Sequence, residues 1–306
     1  VTVEDLADAM RRRNAPTCDW RDRLAKSEDG TRRKNLYNAC VALREHPDVT
    51  GRLAYDEFNG CPYVRGRMPW DARSNRPWTQ FDDLAATDWL QNPTVGVLVG
   101  SNIVREALER VAYENRFHPV LEYLENLEWD GEERLTRWLT TYLGVPKTPL
   151  SEAIGRKFLV SAVARVMRPG CKVDHLPILE GPQGTLKSTA LRTLVGEDWF
   201  ADQIADLGTK DSCQDLRGKW LIELSELSAI RPGGIERVKA YVTRQVDHYR
   251  ASYGRRSGDI PRQTVFAGST NAHEYLSDST GGRRFWPLAC TRIDVDAIAR
   301  DRDQLW

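Results

Sequence analysis

The chain predicts an α/β fold in its last part, preceded by a mainly helical region and a small α+β segment. Three patterns carry that expectation. From residue 174 onward, apolar runs at 175–180, 199–202, 219–224, 264–269 and 285–289 alternate with helical stretches, as in a three-layer α/β domain. From 81 to 170 the apolar spacing is helical throughout. Before residue 80 the signals are mixed. The reading therefore divides the chain at 1–80, 81–170 and 171–306, and 306 residues suit about two domains.

In the first segment, 33–45 reads as an amphipathic helix with Leu36, Cys40 and Leu43 on one face. Residues 52–65 read as a hairpin turning at Asn59-Gly60. The stretch 66–79, rich in Pro, Arg and Trp, reads as loop, with Trp70 and Trp78 as packing anchors. Ser101 is placed as the cap of a helix through Val111. Further helices follow at 120–127, at 132–143 with Leu135, Trp138, Leu139 and Leu143 on one face, and at 151–167. Arg168-Pro169-Gly170 ends the last of these. The acidic run at 122–133 reads as a solvated face.

Composition narrows the function. Lys plus Arg and Asp plus Glu both number 44, so no global field draws the chain to nucleic acid or to an anionic membrane. Nucleic-acid contact then requires a local patch. The six cysteines form no C-x-x-C pair and no zinc spacing, and read as reduced thiols. No run reaches the roughly 20 apolar residues of a membrane span, nor does the N-terminus carry a signal-peptide core. The expected location is the cytoplasm.

The richest stretch begins at the apolar run Leu176-Pro177-Ile178-Leu179. It feeds Glu180-Gly181-Pro182-Gln183-Gly184-Thr185-Leu186-Lys187-Ser188-Thr189 at the head of a helical pattern. Strand, glycine-bearing loop, Lys-Ser and helix in that order are what a polyphosphate cradle needs. Gly181 and Gly184 let the backbone aim N–H groups inward, and the helix N-terminus adds more. Lys187, expected at an exposed helix start, supplies charge for the β and γ phosphates, and Ser188 a hydroxyl for Mg²⁺. The loop 181–189 is thus the ATP-binding candidate. Leu186 stands where the usual spacing has glycine.

Hydrolysis needs carboxylates at a neighbouring strand end, a group to orient water and a cation for the transition state. Trp220-Leu221-Ile222-Glu223-Leu224-Ser225-Glu226 supplies an apolar strand with two glutamates. Glu226 is read as the catalytic base and Glu223 as the acid on the metal side, reached through water. Asn271, closing the run 264–270, suits a bond to the γ-phosphate or to the water. Arg283 and Arg284, on a glycine-hinged loop, suit an arginine finger acting on a neighbouring subunit's nucleotide. Between residues 231 and 262 stand eight basic residues and three acids. Within this span 247–259 reads as a hairpin whose tip carries Arg255 and Arg256. Beside Tyr249 and Tyr253, these arginines suit phosphate tracking and base stacking on single-stranded DNA.

Taken together, the phosphate loop, Trp220-Leu-Ile-Glu-Leu-Ser-Glu-Leu227, Val238-Lys-Ala-Tyr-Val-Thr-Arg-Gln-Val-Asp-His-Tyr-Arg250, Gly268-Ser-Thr-Asn271 and Gly281-Gly-Arg-Arg-Phe-Trp-Pro287 resemble the virulence-associated protein E family. These are P-loop ATPases of phages and mobile elements, related to superfamily 3 helicases. The resemblance is dense over 176–288. It implies a P-loop AAA+-like ATPase domain, a hexameric ring with nucleotide between subunits, and a hairpin pointing into a DNA pore. It also adds Arg250 to Arg255 and Arg256 as a residue facing DNA. Because the chain stops inside an apparent helix, the C-terminal end is expected to be incomplete. The expected activity is Mg²⁺-ATP hydrolysis driving a DNA helicase. The other two readings are a nucleotide-gated DNA-binding module without turnover and a P-loop small-molecule kinase.

Overall fold

A computed structural model describes residues 19–204, 207–225, 234–250, 257–271 and 282–306. The chain forms two compact units, Val1–Phe117 and His118–Trp306.

In the first unit, Asn35 caps helix α1 (Leu36–Glu45) by accepting from the Asn38 N–H. Asn38 itself is fully buried, and its amide is satisfied by the backbone of Ala25 and Arg33. The expected hairpin is formed by β1 (Leu53–Asp56) and β2 (Cys61–Val64), which pair antiparallel. With β3 (Arg76–Pro77) and β4 (Arg116–Phe117) they make a sheet of order β3-β2-β1-β4.

Helix α2 (Gln80–Gln91) opens on a Thr79–Asp82 capping box. Buried Asp82 also takes the Arg76 guanidinium at 2.6 and 2.7 Å and the Trp70 indole N–H at 3.0 Å. Trp70 and Trp78 pack on the core of this unit, in line with their reading as anchors.

Helix α3 (Ser101–Glu114) starts one residue earlier than a Ser101 cap requires. Gly100 is the cap, with extended backbone, and Ser101 is already helical. α3 buries Val104, Ala107, Leu108 and Val111 in the same core as Leu53 and Val64. It then runs straight into β4, which pairs parallel with β1. That pairing places α2 and α3 in the first unit, so the observed boundary falls after Phe117, not at 80/81 or 170/171.

The second unit opens with α4 (Pro119–Glu125), α5 (Trp138–Leu143) and α6 (Pro149–Met167). The expected helix over 132–143 is helical only from Trp138. Before it, Glu133 accepts from the Thr136 N–H, and Arg134 pairs with Asp130 and Glu132. These local bonds compete with a helical ladder.

The sheet follows as β5 (Leu176–Glu180), β6 (Phe200–Ala201), β7 (Leu221–Leu224), β10 (Val265–Thr270) and β11 (Phe285–Ala289), in the order β11-β5-β10-β7-β6. Every neighbouring pair is parallel. The interior strands are near-continuous apolar runs, as a sheet covered on both faces requires.

Helices α7 (Lys187–Val195), α8 (Lys210–Gln214) and α9 (Gly234–Val242) connect them. A separate hairpin pairs β8 (Val246–Arg250) with β9 (Ser257–Pro261). The last helix, α10 (Val295–Leu305), precedes Trp306, whose indole donates to the Leu194 carbonyl. No helix among the described residues is long and apolar enough to cross a membrane.

Candidate functional site at the carboxyl end of the sheet

In a parallel sheet, ligands bind beyond the carboxyl ends of the strands, where connections diverge to either side. β5, β10 and β7 are adjacent, and all three deliver polar side chains to that edge. Between β5 and α7 the backbone is left-handed at Gly184 (φ 83°) and at Leu186 (φ 64°). At Gly181 the loop is pressed against its surroundings: a Cβ there would lie 3.0 Å from the Cys290 carbonyl oxygen.

Lys187, the first residue of α7, is buried at 7 % exposure, contrary to the exposed helix start expected from sequence. The loop folds over it. Its Nζ donates to the carbonyls of Gly181 (2.8 Å) and Pro182 (2.9 Å), with Thr185 Oγ1 at 3.2 Å and Asn271 Oδ1 at 3.0 Å. Burial lowers its pKa, while nearby Glu223 acts to raise it. An ammonium has three protons and here faces four acceptors, so the cation is held centrally under the loop.

Ser188 Oγ donates to Glu223 Oε1 at 2.8 Å. Glu223 lies on β7 between β10 and β6, is 1 % exposed, and its Oε2 has no hydrogen-bond partner among the described residues. An orphaned carboxylate oxygen beside a serine hydroxyl is a hard-oxygen donor set. It fits a Mg²⁺ ion, which takes one or two carboxylates and completes its shell with water and substrate phosphates. Among the described residues no cluster of three or more His, Cys, Asp or Glu forms a closed metal cage. A cleft of about 450 Å³ opens above these groups, lined by 183–189 together with Ser225, Ser269, Thr270 and Asn271. Ser225, Ser269 and Thr270 carry no functional role in the reading from sequence. Their signal is their place at or just past the ends of β7 and β10.

The structure thus brings Lys187, Ser188, Glu223 and Asn271 together. Glu226, Tyr253, Arg255 and Arg256 lie outside the described residues, as does the side chain of Arg250. Tyr249 is not a stacking platform. It is 5 % exposed, packs in the core of the second unit, and its hydroxyl accepts from Arg217 Nε at 3.1 Å. Arg283 is exposed and Arg284 half-buried, on a 3₁₀ turn leading into β11. Phe285 pairs with Leu176, so both arginines stand at the amino edge of the sheet, opposite the loop 181–186.

Among solved structures, the chain resembles the apo structure of the NrS-1 C-terminal region (305–718) at 13% identity and a TM-score of 0.49. The match covers 82% of this chain and 64% of that one. The A form of the same region matches at 13% identity and 0.48, covering 83% and 64%. The chain therefore spans less than two thirds of the length of those structures. No curated protein matches it. Residues 124–306, more than half of the sequence, match the virulence-associated protein E-like domain, and the chain belongs to that family.

Proposed function

We propose that this chain is the ATP-hydrolysing part of a DNA-dependent motor, a superfamily 3-like replicative helicase of a phage or integrated mobile element with an AAA+-like core. The observation that carries the reading is that Lys187, Ser188 and Asn271 line one open cleft at adjacent strand ends, with buried Glu223 of the next strand bonded to Ser188. In this reading Lys187 exchanges its loop carbonyls for β- and γ-phosphate oxygens, and loop N–H groups with the start of α7 hold the rest of the triphosphate.

Ser188 would hold Mg²⁺ directly and Glu223 would hold it through water, and a bound ion would supply positive charge against the phosphate oxygens. Asn271, fixed by its bond to Lys187, orients the attacking water. Glu226, one residue beyond cleft-lining Ser225, takes the water's proton as its oxygen attacks the γ-phosphorus and the bond to the β-bridging oxygen breaks. Arg283 or Arg284 serves a neighbouring subunit in a ring, the hexamer that the family resemblance implies. Arg250, Tyr253, Arg255 and Arg256 meet single-stranded DNA.

The test compares wild type, Lys187→Ala and Glu226→Gln for ATP binding and turnover, with and without single-stranded DNA. Lys187→Ala should abolish turnover in a folded protein. Glu226→Gln should keep binding and lose hydrolysis, because shape persists and the base is gone. Near wild-type hydrolysis by folded Lys187→Ala removes the reading. ATP binding without turnover in assembled wild type with DNA would favour a nucleotide-gated DNA-binding module. Phosphate transfer to a small acceptor, indifferent to DNA, would favour a kinase.

A further inference from the structure

Arg165, on α6, is 1 % exposed and has no carboxylate among its hydrogen-bond partners in the described residues. Burial pushes its pKa down to about 10, so it remains charged at neutral pH. Its guanidinium donates instead to three backbone carbonyls, and its Nε finds no acceptor among the described residues. A buried cation is costly unless its geometry is needed, which makes the identity of those carbonyls informative.

Two of them are the roots of the β8–β9 hairpin. Arg165 reaches Arg244 O at 3.4 and 3.5 Å, just before β8, and Arg262 O at 3.5 Å, just after β9. The third is Val173 O at 3.2 Å, in the segment entering β5. The root is closed by other bonds as well: Arg262 N–H donates to Gln245 O, and Arg262 makes a two-pronged contact with buried Asp247 at 2.5 and 2.8 Å. Gly170, past the end of α6, donates to Arg262 O at 2.8 Å. Its φ is 80°, and a Cβ there would lie 3.3 Å from Gln245 O and from Pro261 Cβ.

The same helix touches the strands that build the cleft. Trp220, immediately before β7 and its Glu223, donates its indole N–H to the Ala162 carbonyl of α6 at 2.9 Å. Ser161 Oγ lies 3.2 Å from Nε2 of His175, the residue preceding β5. Within five residues, α6 therefore contacts the approach to the phosphate-loop strand, the approach to the Glu223 strand and both roots of the hairpin. A rigid helix holding all three is a physical route by which a shift at one is felt at the others.

We infer that Arg165 is a positioning residue that locks the root of the hairpin to α6, and that α6 is the element coupling the hairpin to the nucleotide cleft. The lock is a statement about this unit alone; its consequence for DNA rests on the hairpin reading given above.

The experiment uses the full chain with Arg165→Lys, Arg165→Met and, approached from the other side of the root, Gly170→Ala. Amide hydrogen exchange of 246–250 and 257–261 is compared with that of 221–224 and 265–270. Hairpin amides should exchange at least tenfold faster in Arg165→Met and several-fold faster in Arg165→Lys, whose single nitrogen cannot span both roots. Sheet amides should stay within a factor of two. In parallel, basal ATPase should be retained while stimulation by a thymidine oligonucleotide falls at least fivefold.

Unchanged hairpin exchange in all three variants, or equal acceleration everywhere, overturns the lock. Faster hairpin exchange with full DNA stimulation overturns the coupling. If wild type itself shows no DNA stimulation, the hairpin's DNA role fails, and the exchange arm still decides the lock. Should Arg165→Met not fold, the Lys and Ala variants carry the same comparison.

Discussion

Leu186 occupies the position where a glycine would follow from the loop's spacing, and it takes the left-handed conformation anyway, at φ 64° and ψ 25°. A side chain with a Cβ costs about 1–2 kcal/mol there. Leu186 is 51 % exposed, so burial offsets little of that cost. Leu186→Gly should remove the strain and lose roughly 0.5–1 kcal/mol to glycine's greater freedom when unfolded. The net expectation is stability unchanged or raised by up to about 1.5 kcal/mol in urea denaturation. A loss of 2 kcal/mol would show that the leucine side chain braces the loop. His175 offers a second residue-scale test. Burial pushes its pKa down to about 4, and its ring stacks on Trp286 at 4.1 Å. The unfolded value is near 6.5. Above pH 6.5 the residue is neutral in both states and contributes no pH dependence. As pH falls from about 6.5 to about 4 the unfolded chain binds the proton first, so stability drops, at up to about 1.4 kcal/mol per pH unit. His175→Phe should flatten this slope relative to wild type in denaturation midpoints measured from pH 7 to 4. Parallel slopes in the two proteins would exclude His175 as the source.

The hairpin shows how burial redistributes roles along one element. Along β8, Asp247 and Tyr249 are buried while His248 points outward and pairs with Asp259 across the strands at 2.6 Å. Tyr249→Ala should therefore cost about 3–5 kcal/mol of stability, as truncations of buried aromatics do. Tyr253→Ala and the Arg255→Ala, Arg256→Ala pair should leave stability within about 0.5 kcal/mol and act on DNA affinity. Thermal melts set beside DNA titrations separate the two, and a stable Tyr249→Ala protein would contradict the packing seen here. Tyr249 was misread because its strand carries an aspartate on the inward face, a placement that makes sense only once Arg262, fifteen residues on, is known to pair with it. The five parallel strands were legible because continuous apolar runs bounded by glycine or polar residues have few other uses. Three of the four residues brought together in the cleft belong to runs that also read locally: Lys187 and Ser188 after a loop, and Asn271 at a strand end. Glu223 was legible as a carboxylate out of place in an apolar strand, but its bond to Ser188 is a tertiary fact. The helix over 132–143 and the boundary near 80 were overextended for a shared reason: amphipathic spacing shows which residues want burial, not which core receives them. Phe117 and β4, two residues of strand pairing parallel to β1, decide the boundary and carry almost no local signal.

At the scale of the molecule, the two edges of the parallel sheet hold different chemistry. The carboxyl edge holds the Lys187 cleft, and the amino edge holds Arg283 and Arg284. β5 has five residues, so about 16 Å of strand separates the loop 181–186 from the turn before β11. An arginine side chain spans well under half of that, and the turn is tied down by the bond from the Trp286 indole to Arg283 O. Neither arginine therefore serves its own chain's cleft without unmaking β11. If one of them is a finger, it acts across an interface, and hydrolysis becomes a property of the assembly. A finger supplied in trans is worth on the order of 10³ to 10⁵ in rate. Specific activity should accordingly rise with protein concentration. Arg283→Ala or Arg284→Ala should each be tested alone and mixed with Lys187→Ala. The Lys187→Ala subunit has an intact finger and a dead cleft, while the finger variant has the reverse. Mixed assemblies should therefore regain part of the wild-type rate at interfaces where a sound cleft meets a sound finger, and only the arginine that acts as finger should show this rescue. The measurement is steady-state ATPase across mixing ratios, with mixed assembly verified by native mass spectrometry. Loss of activity in the arginine variants with no recovery at any ratio, in confirmed mixtures, would mean that each cleft is completed within its own chain. That outcome would require the turn 282–284 to leave the position it holds here.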